Sequence, residues 1–361
     1  MQQDETLRLL CDEAWTGAHS FALYRQPGEQ RYTFVTAASD PQRLTTLSDV
    51  GRQSGVVVAP WQAGAASPLL LIPADSVVQG DVPALSGDMP EAPVIDASIG
   101  RADYEWGFRR CMDRLSLGVG GLTKVVYARQ MAYAYAARRL TMADLFLRAC
   151  HLSPYSYVTL WHTPRTGFWL VATPEVLVSA LGDGRMQTMA LAGTMPWTGT
   201  LPPLDAWSAK TRHEQQVVAA YIAARLDSMA ADVQASPCGS RRAGNVVHLC
   251  TTFTFRPAGG RTLGDIVAAL HPTPAVCGEP LKAAKATLRY AERQPRLYYA
   301  GFSGPVGIGG TTTLYVSLRC AHLMPPRAVI YAGGGLLPDS RLDDEWEETQ
   351  LKMQHILRCL A

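Results

Sequence analysis

Short β-prone runs occur along the whole chain, with helical stretches interspersed among them at irregular intervals. Three such runs, 21–24, 32–35 and 56–59, fall in the first hundred residues and are separated by glycine, proline and polar residues. A doubly wound parallel sheet would require strands and helices in regular alternation, which this chain lacks. The order of elements therefore predicts an α+β fold, with antiparallel β-sheets and surrounding helices.

The remaining elements follow from apolar periodicity and turn residues. Helices are predicted over 103–117, 142–150, 208–233 and 344–360; the last two carry an apolar stripe at three- and four-residue spacing. Strands are predicted over 124–128, 157–161, 167–172, 176–181, 246–255, 300–306, 312–319 and 328–332. The stretch 236–242 is rich in small and polar residues and is predicted to be a loop.

Charge and cysteine content limit the class of partner. The chain has 33 Lys+Arg against 31 Asp+Glu, so its net charge of +2 gives no general reason to expect a nucleic acid partner. The charge-free stretch 55–74 contains Pro60, Pro68 and Pro73, which would interrupt a membrane-spanning helix. The eight cysteines form no Cys-x-x-Cys pair, so we expect buried free thiols in a cytoplasmic protein rather than a zinc site.

Two charged residues adjoin apolar strands in a way that allows either a structural or a catalytic role. Lys124 opens an apolar strand after a glycine-rich turn; its amine either reaches solvent or is partly desolvated and acts as a base. Glu175 follows Pro174 at the start of another strand. It is either an exposed turn residue or a buried carboxyl, which would suit a general acid.

Two further acids lie on predicted helices. Glu214 lies near the start of the long helix, where the helix dipole favours an acid. Glu348 and Lys352 stand four residues apart, the usual spacing of a solvated ion pair. The alternative is that the two glutamates converge on a hard cation such as Mg2+.

Other features are compatible with anion binding. Arg319 lies in an apolar strand, where a ligand carboxylate could be its partner. Glycines 333–335 follow a strand and either form a turn or allow backbone amides to approach an anion. His248 and His271 lie beside apolar residues and are interpreted as structural rather than catalytic histidines.

Taken together, these segments resemble the chorismate-utilising enzymes, and most closely isochorismate synthases of the menaquinone type. The resemblance covers about residues 103–358, which would be the catalytic core of a single domain over 1–361, with 1–102 as a strand-rich part of the same domain. Eight segments carry it, in the family's order: 124–129 (KVVYAR), 173–177 (TPEVL), 191–194 (LAGT), 210–214 (KTRHE), 271–275 (HPTPA), 318–321 (LRCA), 332–335 (AGGG) and 345–352 (EWEETQLK).

The resemblance implies a role for each site residue. Lys124 would deprotonate a water that attacks ring carbon 2 of chorismate, and Glu175 would protonate the hydroxyl that leaves carbon 4. Glu214 and Glu348 would hold Mg2+. The implied substrate-binding residues are Gly193, Ala275, Arg319, Gly333 and Lys352.

The same resemblance leaves two alternatives open. Relatives that add ammonia generally lack a lysine at the position of Lys124, so this lysine favours water as the nucleophile. Salicylate synthases share the lysine and then eliminate pyruvate, and a non-catalytic scaffold of the same fold is a further possibility. The expected partner is chorismate alone, with no nucleic acid and no membrane, in a monomer or weak homodimer.

Overall fold

The computed structural model describes residues 2–17, 19–84, 89–96, 98–135, 140–243 and 246–361. Its helices are α1 (Gln2–Thr16), α2 (Arg101–Ser116), α3 (Met142–Leu152), α4 (Ala209–Asp227), α5 (Leu263–Leu270), α6 (Leu281–Ala291) and α7 (Leu342–Leu360). Its strands are β1 (Phe21–Arg25), β2 (Arg31–Thr36), β3 (Gln42–Arg43), β4 (Gly55–Ala59), β5 (Leu70–Pro73), β6 (Ser76–Asp81), β7 (Lys124–Ala134), β8 (Tyr157–Thr163), β9 (Gly167–Thr173), β10 (Val176–Ala180), β11 (Met186–Pro196), β12 (Ala230–Ala235), β13 (Gly239–Ala243), β14 (Val246–Pro257), β15 (Gly278–Glu279), β16 (Phe302–Val306), β17 (Thr313–Val316), β18 (Cys320–Met324) and β19 (Arg327–Leu336).

The strands form two large antiparallel sheets, which confirms the predicted α+β class. The first sheet has the order β15-β7-β19-β18-β9-β8-β1-β2-β6. The second has the order β12-β14-β11-β10-β17-β16-β4-β5-β3, and β13 pairs with β14 beside it. The first hundred residues supply strands to both sheets, so this part of the chain is built into the same framework as the rest.

The main core lies where apolar side chains from the two sheets meet. Val57 of β4 and Phe302 of β16, from the second sheet, belong to the same buried cluster as Trp169 of β9 and Tyr331 of β19, from the first. Strands buried on such a face are rich in β-branched and aromatic residues, which accounts for the β-prone runs in the sequence. The other face of the first sheet is covered by α1, α3 and α7.

The two helices that carry the predicted acids pack on different sheets. α4 packs against β11 of the second sheet, and α7 packs against β19 of the first. The predicted stripe of α7 is confirmed, because Trp346, Met353, Ile356, Leu357 and Leu360 are all buried. Packing of this stripe fixes the rotation of α7 and therefore the direction in which its polar face points.

Two predictions of local structure are wrong. α4 ends at Asp227, and residues predicted to continue it form β12, which pairs with the end of β14. Within the predicted loop 236–242, residues from Gly239 onward form β13, in which Arg241 stands opposite His248 of β14. In both cases the hydrogen bonds come from the partner strand β14, and local sequence does not predict this pairing.

Helices α1, α5 and α6 were not predicted. The start of α5 could have been predicted from the sequence, because Thr262 and Asp265 form a capping box there. All eight cysteines are free and seven are buried, as expected from their apolar neighbours. Among the helices described, none is long and apolar enough to cross a membrane.

Candidate active site

One cavity collects eight of the nine predicted site residues. It opens between the two sheets and contains about 830 Å³ of empty space, its open mouth included, which is within the usual range for a small-molecule site. We call it the inner cavity. The predicted residues that line it are Glu175, Gly193, Glu214, Ala275, Arg319, Gly333, Glu348 and Lys352. The ninth, Lys124, meets the cavity wall through its contact with Glu214.

Lys124 is held out of water at the first position of β7. Its side chain is 0% exposed, which excludes the alternative that it reaches solvent. Nζ lies 2.9 Å from Glu214 Oε1, but no hydrogen-bond acceptor among the described residues is well oriented toward it. A buried nitrogen with one poorly aligned contact can form a further hydrogen bond, for example with a water or a substrate atom.

Glu175 occupies the short connection between β9 and β10, and its side chain is buried in the wall of the inner cavity. Burial raises its pKa from 4.5 to about 7, although the nearby Lys124 and Lys352 act in the opposite direction. A carboxyl with this pKa is substantially protonated at neutral pH. Glu175 can therefore donate a proton, the property required of a general acid.

Glu348 and Lys352 form the ion pair predicted from their spacing, and both also face the inner cavity. Lys352 Nζ lies 2.6 Å from Glu348 Oε1 and donates a hydrogen bond of 2.8 Å to the carbonyl of Gly333. The charge of Lys352 lowers the pKa of Glu348. Burial alone would lower the pKa of Lys352, but Glu348 outweighs burial and the pKa of Lys352 is raised. At neutral pH the pair therefore presents one carboxylate and one ammonium to the cavity.

The two glutamates that could hold a metal come from different helices. Glu214 is on α4 and Glu348 is on α7, and both line the same cavity. Gly335 leaves room for Glu214, because a Cβ on this glycine would lie only 2.2 Å from Glu214 Oε1. Within the described residues, no group of three or more His, Cys, Asp or Glu residues could hold a metal. Two carboxylates suit Mg2+, which keeps several waters and takes ligands from the substrate.

Arg319 is a partly buried cation that has no acidic partner among the described residues. Its backbone has φ of 46°, a strained conformation for a residue with a side chain, and burial lowers its pKa to about 10. Among the described residues it forms no ion pair; its NH2 group lies 3.3 Å from His248 Nε2. A cation held in this way is strongly stabilised by an anionic ligand.

His248 is neutral and is fixed in one orientation. Burial and the neighbouring Arg319 lower its pKa to about 3, and Nδ1 lies 2.5 Å from the carbonyl oxygen of Gly193. The carbonyl can only accept, so Nδ1 carries the proton and Nε2 is free to accept from Arg319. Nothing in the sequence favours His248 as a site residue over other histidines beside apolar residues.

Glycine and alanine allow the backbone to form the cavity wall. Gly193 has φ of 71°, and a Cβ there would lie 2.2 Å from Thr211 Cγ2, so a larger residue would have to displace the side chain of Thr211. Gly333 and Ala275 contribute further wall, and the hydroxyl of Tyr299 lies against Gly333. Tyr299 and Tyr331, which also line the cavity, were missed because the sequence shows only that they are buried aromatics.

A buried polar cluster joins the two acid-bearing helices. Lys210 Nζ of α4 donates to Glu345 Oε1 of α7 at 2.8 Å, and Ser340 donates to the same oxygen at 2.7 Å. Glu345 is 2% exposed, and burial raises its pKa despite Lys210. The cluster lies one helical turn from both Glu214 and Glu348, and the sequence does not show that its members meet.

A buried lysine, a carboxyl with a raised pKa and an arginine that has no acidic partner in the described part of the chain surround one small cavity, and together they describe an enzyme site for an anionic substrate. The sequence model of the family of chorismate binding enzymes matches residues 96–361. The chain belongs to this family.

Its relatives include isochorismate synthases. A candidate isochorismate synthase MenF of Mycobacterium tuberculosis is 37% identical over 300 residues, which cover 76% of this chain and 78% of the relative. The structure of a candidate 2,3-dihydroxybenzoate-specific isochorismate synthase, DhbC, of Bacillus anthracis superposes with a TM-score of 0.78 at 21% identity, over 99% of both chains. The menaquinone-specific isochorismate synthase MenF of Escherichia coli gives a TM-score of 0.73 at 19% identity, over 95% of this chain and 89% of that one. These two structures confirm the fold.

Proposed function

We propose that this protein is an isochorismate synthase, an isomerase that converts chorismate to isochorismate. The observation that carries the proposal is the buried pair of opposite chemical type at one cavity: the amine of Lys124 and the carboxyl of Glu175, whose pKa is about 7. The family membership and the 37% identity to a candidate isochorismate synthase support the choice of substrate and product.

In the proposed reaction, a water attacks ring carbon 2 while the hydroxyl leaves carbon 4. Lys124 takes the proton of the attacking water, and Glu175 gives a proton to the departing hydroxyl, which leaves as water. The two conjugated ring double bonds, between carbons 1 and 2 and between carbons 5 and 6, each shift by one position toward carbon 4, so no oxidant or reductant is required. Proton transfer from Lys124 back to Glu175 restores the starting state. Acid and base catalysis of this kind typically contributes 10²–10⁴-fold each.

The substrate carboxylates would be held by cations that the fold has already desolvated. Arg319 lacks an acidic partner among the described residues and would bind one carboxylate with two parallel hydrogen bonds. Lys352 and the backbone amide of Gly333 would bind the other. Because Arg319 is already ordered by its contact with His248, little side-chain entropy is lost when the substrate binds.

We further propose that Glu214 and Glu348 bind Mg2+. A divalent cation at these oxygens would offset the charge of the dianionic substrate. The space above Gly335 and the all-oxygen donor set support this assignment. In the structure each carboxylate contacts a lysine, Glu214 contacting Lys124 and Glu348 contacting Lys352, so each can exchange a lysine contact for a metal contact.

The product of the reaction tests the proposal directly. We expect purified protein with chorismate and Mg2+ to release isochorismate alone, identified by chromatography against a standard. Salicylate with pyruvate would instead identify a salicylate synthase, anthranilate in the presence of ammonia would contradict the role of Lys124, and no turnover would favour a non-catalytic scaffold. Mg2+ binding is measured separately by calorimetry, where Glu348→Gln is expected to weaken it. Unchanged affinity would remove Glu348 from the metal site.

The setting of the reaction is also a proposal. The identity to a MenF relative favours menaquinone biosynthesis as the pathway that uses the product. The free cysteines support a reducing compartment such as the cytoplasm, where we expect a monomer or weak homodimer.

A further inference from the structure

A second cavity adjoins the inner cavity on the side of the second sheet. We call it the outer cavity; it contains about 690 Å³ of empty space, its mouth included. Pro174, Leu191 and His248 line both cavities, so these three residues form the boundary between them. Pro174 and Val176 line the outer cavity, whereas Glu175, between them in the chain, lines the inner one. A molecule in the outer cavity would therefore contact the chain neighbours of Glu175, the proposed general acid.

The charged lining of the outer cavity is entirely basic. Arg241 and Arg242 of β13 line it, and none of the described residues that line it is an aspartate or glutamate. Arg242 is stacked on aromatic rings, with its guanidinium carbon 4.4 Å from the ring centre of Trp197 and 5.2 Å from that of Tyr155. Such stacking orients the guanidinium.

Arg241 is directed to the boundary by strand register. It stands directly opposite His248 in the antiparallel pair of β13 and β14, and directly opposed residues share one face of a sheet. His248 is in turn 3.3 Å from Arg319. Arg241, His248 and Arg319 therefore run from the outer cavity to the inner cavity as cation, neutral imidazole and cation.

We propose that the outer cavity is an entrance subsite for the dianionic substrate, in which Arg241 attracts the carboxylates before Arg319 binds them. This inference rests on the proposed function, because it takes chorismate as the ligand. His248, which is neutral and contacts Arg319, adds no third positive charge between the two arginines. Arg241 contributes to binding and takes no part in proton transfer.

The size of the effect follows from Coulomb attraction in a solvated cleft. A unit charge about 8 Å from a dianion changes affinity on the order of threefold at about 20 mM salt. At about 0.5 M salt, screening reduces the same contribution to less than about 1.5-fold. A direct hydrogen bond to a carboxylate would persist at high salt, so the salt dependence distinguishes attraction from contact.

The test compares Arg241→Gln with Arg165→Gln at both salt concentrations. Arg165 is exposed in the turn between β8 and β9 and lines neither cavity, so its variant removes the same charge elsewhere. Chorismate binding is measured by calorimetry without metal, and KM and kcat are measured with Mg2+. We expect Arg241→Gln to raise Kd and KM about threefold at low salt, with kcat within twofold, and Arg165→Gln to leave all three unchanged.

Three results would overturn the inference. They are an unchanged Kd for Arg241→Gln at low salt, an equal weakening in Arg165→Gln, and a failure of chorismate to bind the unmodified protein. If chorismate binds, with the expected dependence on Arg241, but is not converted, the proposed function fails while the entrance subsite stands. Arg241→Lys keeps the charge and is expected to restore most of the lost affinity.

Discussion

Gly335, which packs against the carboxylate of Glu214, offers the sharpest test of the proposed metal site and base. In Gly335→Ala, the added Cβ would lie 2.2 Å from Glu214 Oε1 and 3.1 Å from Lys124 Cε. The 2.2 Å contact with the carboxylate oxygen is far too short for the present positions, and the 3.1 Å contact is tight because carbon atoms pack at about 3.5–4.0 Å. The carboxylate must retreat by about 1 Å or more, and a displacement of this size in a catalytic group costs on the order of 100-fold in rate.

We expect Gly335→Ala to lower kcat/KM about 100-fold and to weaken Mg2+ binding, while the melting temperature stays within a few degrees of the parent. Gly335 has no positive φ, so alanine fits its backbone conformation. The control is Gly239→Ala, also in a strand, whose Cβ would meet nothing within 4 Å. Steady-state turnover, calorimetric titration with Mg2+ and thermal melting measure the three quantities. If Gly335→Ala keeps kcat/KM within threefold, Glu214 is not held where the proposal requires it.

Three other substitutions test separate parts of the site. Because Glu175 must be protonated to act and its pKa is about 7, kcat should fall about tenfold per pH unit above pH 7. The raised pKa also means that Glu175 destabilises the folded state as pH rises from 4.5 through 7; Glu175→Gln should therefore gain up to about 3 kcal/mol relative to the parent at pH 8, measured by urea unfolding. Lys124→Ala should lower kcat by about 10²–10⁴, whereas the exposed Lys282→Ala should not change it. Lys210→Met should lower the free energy of unfolding by about 1–3 kcal/mol, because it removes the cation that pairs with the buried Glu345.

Each of these has a clear contrary result. A flat pH profile up to pH 9 would show that Glu175 is not the acid, and a Glu175→Gln variant no more stable at pH 8 than the parent would contradict its raised pKa. Activity of Lys124→Ala within a few-fold of the parent would require another base. A Lys210→Met protein as stable as the parent would mean that Glu345 is protonated or solvated without its partner.

Local sequence was sufficient where the structure depends on local interactions. The stripe of α7 and the strand that begins at Lys124 were predicted because periodicity and β-propensity act over a few residues. The ion pair of Glu348 and Lys352 was predicted for the same reason, since its members are one helical turn apart. The end of α4 and the strand β13 were wrong, because both depend on pairing with β14.

The convergence of the site residues could not be predicted from spacing. Lys124 and Glu214 are far apart in the chain, yet their side chains lie 2.9 Å apart. The burial of Lys124 and Glu175 was also undecided, because a charged residue at a strand end is as easily exposed as enclosed. Family resemblance supplied the set of residues. It did not supply Arg241, which lies outside the matching segments and in a strand read as a loop.

The arrangement of the two acid-bearing helices explains why a buried polar cluster lies beside the site. Glu214 comes from a helix packed on the second sheet and Glu348 from a helix packed on the first, so their separation depends on how the sheets are held together. The hydrogen bond from Lys210 to Glu345 has a narrow range of length and angle and joins the two helices one turn from the acids. This buried pair therefore restricts the separation of the two helices that carry Glu214 and Glu348.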